Sequence, residues 1–212
     1  MPGQESDFLD LRKKMVAEQI IRRGIDGSRV LQAMEQVPRH LFVPMETRAH
    51  AYDDAPMSVG FGQTISQPYV VALMTHSLKV KPGDKVLEVG TGSGYQAAIL
   101  AECGAETCTV EIIPELAQRA RQNLKNTGYL QIQVKTGNGM KGWKEQAPFD
   151  AILVTCAPET VPDDLESQLI EGGRIVIPVG PKDKIQDLLL IGNLKGNPVR
   201  ESLGPVRFVP MI

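Results

Sequence analysis

The stretch that constrains this chain most is Lys85-Val-Leu-Glu-Val89 running straight into Gly90-Thr-Gly-Ser-Gly94. A short apolar run followed by glycine at alternate positions reads as a buried strand ending in a tight turn. Glycine takes left-handed backbone angles without penalty and lets the main chain approach a ligand closely. A helical stretch through Tyr95, Ala98, Ile99, Leu100 and Ala101 follows. The cadence then repeats. Thr107–Glu111 reads as a second strand, with a helix from Pro114 to about Thr127. Gln131–Lys135 reads as a third strand and Phe149–Val154 as a fourth, apolar enough to be buried on both faces. Residues 162–170 read as a short helix leading through Gly172-Gly173 to a fifth strand, Arg174–Pro178. Such alternation predicts an α/β fold, a doubly wound and mostly parallel sheet.

Beyond Pro178 the pattern changes. Gln186–Ile191 and Val206–Val209 read as strands, yet residues 178–185 leave no room for a crossover helix. A parallel neighbour needs about a dozen connecting residues, so the strand after residue 184 is expected to run antiparallel. Upstream, residues 8–23 form an amphipathic helix ending at Gly24, and Asp26 is the expected N-cap of a second helix that stops before Pro38. Residues 38–68, punctuated by Pro38, Pro44, Pro56, Pro68, Gly60 and Gly62, lose periodicity. An irregular segment of that length in a compact domain is expected to carry function. The predicted organisation is one domain over 1–212. Residues 1–83 hold N-terminal helices and a substrate or lid segment, 84–180 a ligand-binding core, and 181–212 the C-terminal strands.

Composition removes several classes. Among 212 residues, 23 Lys and Arg face 25 Asp and Glu, a formal charge of −2. That is not the basic excess of a protein that binds nucleic acid through phosphates. No run approaches the length of a membrane-spanning helix, and the N-terminus lacks the apolar core of a signal peptide. Cys103, Cys108 and Cys156 are odd in number, and neither they nor His40, His50 and His76 show metal-ligand spacing. No metal and no disulfide scaffold are expected, and a reducing, cytoplasmic setting fits.

Open parallel sheets bind ligands beyond the carboxyl ends of their strands. Glu88 precedes the glycine turn, Glu111 ends the second strand where a carboxylate can accept from ribose hydroxyls, and Asn138, in Gly137-Asn-Gly139, follows the third. A dinucleotide fingerprint would need glycine where Tyr95 stands. S-adenosylmethionine has no pyrophosphate and carries an ammonium group, which suits an acidic residue before the turn, so it is favoured over a nicotinamide cofactor. The plain alternative is a tight turn with Glu88 as a solvated strand end; the placement of Glu111 weighs against it.

Val37-Pro-Arg-His-Leu-Phe-Val43, Gly60-Phe-Gly-Gln-Thr-Ile-Ser-Gln-Pro68, Leu87–Tyr95, Ala147–Ile152 and Val206-Arg-Phe-Val-Pro210 together resemble the protein-L-isoaspartate O-methyltransferases. The resemblance covers the chain from about Leu11 to Ile212. It implies a class I methyltransferase fold, a seven-stranded Rossmann-like sheet of order 3-2-1-4-5-6-7 with one antiparallel strand near the C-terminus. It implies methyl transfer to the free α-carboxylate of L-isoaspartyl residues in damaged proteins and peptides. The ester then collapses to a succinimide that reopens partly to aspartate, a repair cycle. S-adenosylmethionine would be held by Glu88, Gly90, Thr91, Gly92, Ser93, Gly94, Glu111, Asn138 and Gly139, and leave as S-adenosylhomocysteine. Ser66 is the implied active-site residue, orienting the carboxylate, with Thr64, Ile65, Gln67, Val206 and Arg207 on the substrate side. A monomer acting without nucleic acid, membrane or metal is implied. The family usually has Asp where this chain has Asn138, which leaves an uncharged adenine contact and a deamidation-prone Asn-Gly pair. Cys156 is read as a packed small side chain and Trp143 as a packing anchor. A methyltransferase for small molecules or nucleic acid, or a non-enzymatic sensor, are the competing readings.

Overall fold

The computed structural model describes residues 5–194 and 197–212. The chain opens with helix α1, Glu5–Met15, which continues as a wider turn over Val16–Ile20 and a tighter one over Ile21–Arg23. Gly24, at φ 88°, ends it where the sequence places the stop. Helix α2, Ser28–Gln36, buries Val30, Ala33 and Met34. Its cap is Gly27 rather than Asp26. A side chain is excluded at that position, because a Cβ on residue 27 would lie 2.7 Å from His76 Nδ1.

The segment expected to be irregular is more structured than its prolines suggest. Two short 3₁₀ turns, Arg39–Phe42 and Met45–His50, lead to a hairpin of β1, Met57–Gly60, and β2, Gln63–Ile65. Its tip strings together Gly60, Phe61 and Gly62, all at positive φ, and that interruption hides the strands from a periodicity reading. Helix α3, Pro68–Leu78, starts on its proline and buries Val71, Ala72, Met74 and Leu78 against the sheet. The sequence reading assigned no element there.

The main sheet contains β3 (Lys85–Val89), β4 (Glu106–Glu111), β5 (Gln133–Thr136), β6 (Phe149–Val154), β7 (Leu169–Val179), β8 (Gln186–Leu194) and β9 (Asn197–Val206). They are arranged in the order β5-β4-β3-β6-β7-β8-β9. Counted along this sheet alone, the order is 3-2-1-4-5-6-7, as expected. The first five strands are parallel, and β8 runs antiparallel to both of its neighbours. The crossovers are α4 (Tyr95–Glu102), α5 (Pro114–Asn126) and the single turn α6 (Asp163–Glu166).

Several boundaries differ from the sequence reading, and β8 runs on to Leu194, past the expected Ile191. The last strand is Asn197–Val206, not Val206–Val209. Pro198, Gly204 and Pro205 argue against a strand in general, but β9 is the sheet edge, where an outward N–H needs no partner. Strand β7 begins at Leu169, which pairs with Phe149, so α6 is confined to four residues. Strand β5 starts two residues later than expected, after Ile132 has turned into the core.

Neighbouring residues of β3 serve opposite faces. Val86 packs with the helical layer containing Ile99, Leu100 and Met34, while Leu87 and Val89 join Val110, Ile152, Ile175 and Ile177. A parallel sheet covered on both sides leaves its strand ends as the exposed rim, and the site lies there.

Candidate active site

The turn after β3 depends on its glycines. Gly90, Gly92 and Gly94 have φ of 97°, 54° and 90°. At Gly90 a Cβ would also sit 2.4 Å from Thr155 Oγ1. That hydroxyl, just past β6, donates to Gly90 O at 2.6 Å and fixes the turn from the neighbouring strand. Glu111, at the end of β4, grips the turn from the other side. Its Oε2 accepts from Gly92 N–H at 2.8 Å and its Oε1 from Ile113 N–H at 3.0 Å. Thr91 and Ser93 are buried within the turn. Thr91 Oγ1 meets Thr109 Oγ1 at 2.6 Å, and Ser93 O accepts from Asn123 Nδ2 at 3.0 Å. Gly139 is required because a Cβ there would lie 2.4 Å from Val89 Cγ1.

Two hollows meet at this rim. The first, about 530 Å³, is lined by Gly90, Gly92, Glu111 and Gly139, with Gln63, Thr64, Cys156 and the C-terminal Val209–Ile212. The second, about 960 Å³, is lined by Thr64, Ser66, Gln67, Val206 and Arg207, with Pro56, Val70, Ile185, Pro205 and Phe208. Thr64 belongs to both walls, so the hollows adjoin at one side chain.

Not every residue singled out in the sequence lines a hollow. Ile65 is buried in the core at the end of β2. Asn138 is exposed beside a separate cleft with Met140, Lys141 and Asp164, and its Oδ1 accepts from Met140 N–H at 2.8 Å. Glu88 is fully buried beneath the turn. Its Oε2 accepts from Thr109 Oγ1 at 2.6 Å, while Oε1 has no partner among the described residues. Burial, with the Glu111 charge adding to it against the Thr109 hydrogen bond, pushes the Glu88 carboxyl up to about 8. The same burial, with both carboxylates nearby, pushes the Cys156 thiol up to about 12. Among the described residues no cluster of His, Cys, Asp or Glu is arranged to hold a metal, and no helix is long and apolar enough to cross a membrane.

Sequence reasoning missed several wall residues. Gln63 lies one residue before the expected set. Val209 and Pro210 belong to a motif named in the sequence but line the first hollow, and Met211 and Ile212 carry no local signal, because this wall exists only where Ala157 captures the C-terminal segment. Ala157 N–H donates to Val209 O at 2.8 Å and Met211 N–H to Ala157 O at 2.9 Å.

A glycine turn after the first strand of the main sheet, an acidic residue closing the second strand, and a seven-stranded sheet with one reversed strand define a class I methyltransferase. The model of the protein-L-isoaspartate(D-aspartate) O-methyltransferase family matches residues 11–212. The protein-L-isoaspartate O-methyltransferase of Gloeobacter violaceus is 50% identical over 197 residues, 93% of this chain and 96% of that one. The Opitutus terrae protein of the same name is 53% identical over 199 residues, 94% of this chain and 85% of that one. A crystal structure from Plasmodium falciparum, assigned as a protein-L-isoaspartate O-methyltransferase and solved with S-adenosyl-L-homocysteine, is 27% identical. It superposes with a TM-score of 0.81 over 95% of this chain and 98% of that one. The chain belongs to the protein-L-isoaspartate(D-aspartate) O-methyltransferase family.

Proposed function

We propose that this chain transfers the methyl group of S-adenosylmethionine to the free α-carboxylate of L-isoaspartyl residues in damaged proteins and peptides, with the first hollow taking the donor and the second the substrate. The observation that carries this reading is the shared Thr64 wall. It brings the Ser66 groove directly beside the glycine turn.

The residues present suit such a donor. A side chain at Gly90 or Gly139 would press on Thr155 or Val89 beside the cleft, so both positions stay bare and the main chain is open to a ligand. Beneath the turn, burial keeps the Glu88 carboxyl largely protonated at neutral pH, and a cationic ligand end would draw it toward its ionised form, with the unpartnered Oε1 available to it. Glu111 faces the cleft with lone pairs beyond those used by Gly92 and Ile113, free for ribose hydroxyls. S-adenosylmethionine supplies a methyl group already activated for displacement.

What remains for the chain is placement. A carboxylate of ordinary pKa, about 4, is ionised at neutral pH and needs no general base. Ser66 donates a hydrogen bond to it and orients the free oxygen toward Thr64 and the donor side. Orientation of this kind supplies several kcal/mol. Val206 and Arg207, at the end of β9, line the groove where an extended peptide would lie. Cys156 lines the donor cleft without competing as a nucleophile, because its thiol stays protonated far above neutral pH. The Val209–Ile212 wall screens the cleft from water, and a drier site favours a step in which opposite charges are neutralised. The three free cysteines suit a reducing cytoplasm.

Labelled S-adenosylmethionine offered with matched aspartyl and isoaspartyl peptides tests the reading. Base-labile methyl ester on the isoaspartyl peptide alone is expected. Label on both peptides rejects the selectivity, and label on neither rejects the activity.

A further inference from the structure

Arg39 is the most deeply buried cation among the described residues, with no exposed surface. It comes from the 3₁₀ turn after α2, far in sequence from the groove, and spans two separate loops. Its Nε donates to Ala51 O at 2.7 Å, and its Nη2 donates to Ser66 O at 2.7 Å. The guanidinium lies over the Tyr95 ring, 4.9 Å from its centroid. Tyr95 is the first residue of α4, directly behind the glycine turn. It stands where a dinucleotide fingerprint would have glycine, so the residue that breaks that pattern builds the platform for Arg39. One planar cation thus joins the Ser66 loop to the donor turn.

The second bond carries a geometric consequence. In a trans peptide the carbonyl and the following N–H point in opposite directions. Holding the Ser66 carbonyl inward on a buried guanidinium therefore turns the Gln67 N–H outward, on the side where Ser66 and Gln67 line the groove. No backbone carbonyl accepts from that N–H among the turns and loops of the described residues. A guanidinium is suited to this task because its fork is rigid and always charged, whereas a lysine ammonium is a single flexible point.

We infer that Arg39 is a positioning residue of the substrate groove: it fixes the Ser66–Gln67 peptide so that the Gln67 N–H and the Ser66 hydroxyl face the substrate carboxylate together. This rests on the proposed role of Ser66 as the carboxylate's partner.

The test is a double-mutant cycle of Arg39→Lys and Ser66→Ala, with S-adenosylhomocysteine affinity measured in parallel. Arg39→Lys raises KM for an isoaspartyl peptide, and kcat/KM falls about 30-fold, since a charge-assisted contact and its alignment are both lost. Affinity for S-adenosylhomocysteine, measured under conditions where the variant is folded, stays near that of the unaltered protein. The double variant loses more than Ser66→Ala alone but less than the product of the two single losses, because the hydroxyl's share is already gone and only the Gln67 N–H contact is left for Arg39→Lys to disturb. Losses that multiply, or an equal fall in S-adenosylhomocysteine affinity, make Arg39 a general structural support and overturn the inference. Should Ser66→Ala alone leave turnover and KM unchanged, the reading of Ser66 fails whatever Arg39→Lys does.

A measurement on the unaltered protein stands apart from any folding defect. With S-adenosylhomocysteine bound, adding the isoaspartyl peptide moves the Gln67 amide proton downfield in the NMR spectrum, and the aspartyl peptide does not. A silent Gln67 amide beside shifting Val70 and Ile185 signals contradicts the inference.

Discussion

Glu88→Gln isolates the cost of burying a carboxyl under the donor turn. In the unfolded chain this group titrates near its ordinary value of 4.5, and in the folded chain at about 8. Below the lower value both states hold the proton and the group contributes no pH dependence. Between the two values the folded state keeps a proton that the unfolded state has released, so stability falls as pH rises. Above about 8 the loss is complete. At about 1.4 kcal/mol per pH unit, the interval corresponds to about 4–5 kcal/mol of lost stability. A glutamine has the same shape, can accept from Thr109, and does not titrate. The variant and the parent should therefore have similar stability at about pH 5, while at about pH 9 the variant is the more stable by several kcal/mol. Urea unfolding followed by circular dichroism across that range reads the difference directly. Unfolding curves that keep a constant separation from acid to alkaline pH would refute the reasoning, because they would mean that the buried carboxyl is ionised without cost.

The same carboxyl should report on the ligand. S-adenosylmethionine brings positive charge toward Glu88, favours its ionised form, and so releases part of a proton at neutral pH. Calorimetry in buffers of different ionisation heat detects this in the parent and not in Glu88→Gln. Gly90→Ala combines a left-handed backbone with a Cβ 2.4 Å from Thr155 Oγ1. It is expected to cost about 2–4 kcal/mol of stability and most S-adenosylhomocysteine affinity, both measurable by melting with and without ligand. Burial pushes the Cys103 and Cys156 thiols up to about 12 and raises Cys108, so iodoacetamide at mildly alkaline pH should label the folded chain little. Mass spectrometry showing fast modification of Cys156 would contradict its protonated state. Asn138→Asp keeps the cap on Met140 N–H and adds charge. If this residue also accepts from adenine, S-adenosylhomocysteine binds about 3–10-fold more tightly, and an unchanged affinity separates it from that contact.

Some of this architecture was open to a reader of the sequence. Strands β3 and β6 announce themselves as apolar runs, and the glycines after Val89 fix the turn because no other residue suits their angles. The scarcity of linker between Pro178 and Gln186 was enough to reverse β8. Helix α3 escaped for the opposite reason: it is buried on most sides, so its apolar residues form no single stripe. Strand β9 hid behind Pro198 and Pro205, whose lost donors matter only if the strand has a neighbour on both sides. Glu88 and Asn138 could be named from their spacing, but spacing does not say which way a side chain is buried. Glu88 lies under the turn and Asn138 caps Met140. Arg39 gave no hint of its position. Its burial is met by the Ala51 and Ser66 carbonyls and the Tyr95 ring, groups far apart in sequence, while its Nη1 has no partner among the described residues.

The most direct test is a crystal structure with S-adenosylhomocysteine and an isoaspartyl peptide bound together. The account predicts the sulfur in the glycine-turn cleft and the isoaspartyl carboxylate at Ser66, within about 5 Å of each other past Thr64. A peptide seated elsewhere, or a closed wall at Thr64 between the two, would contradict it.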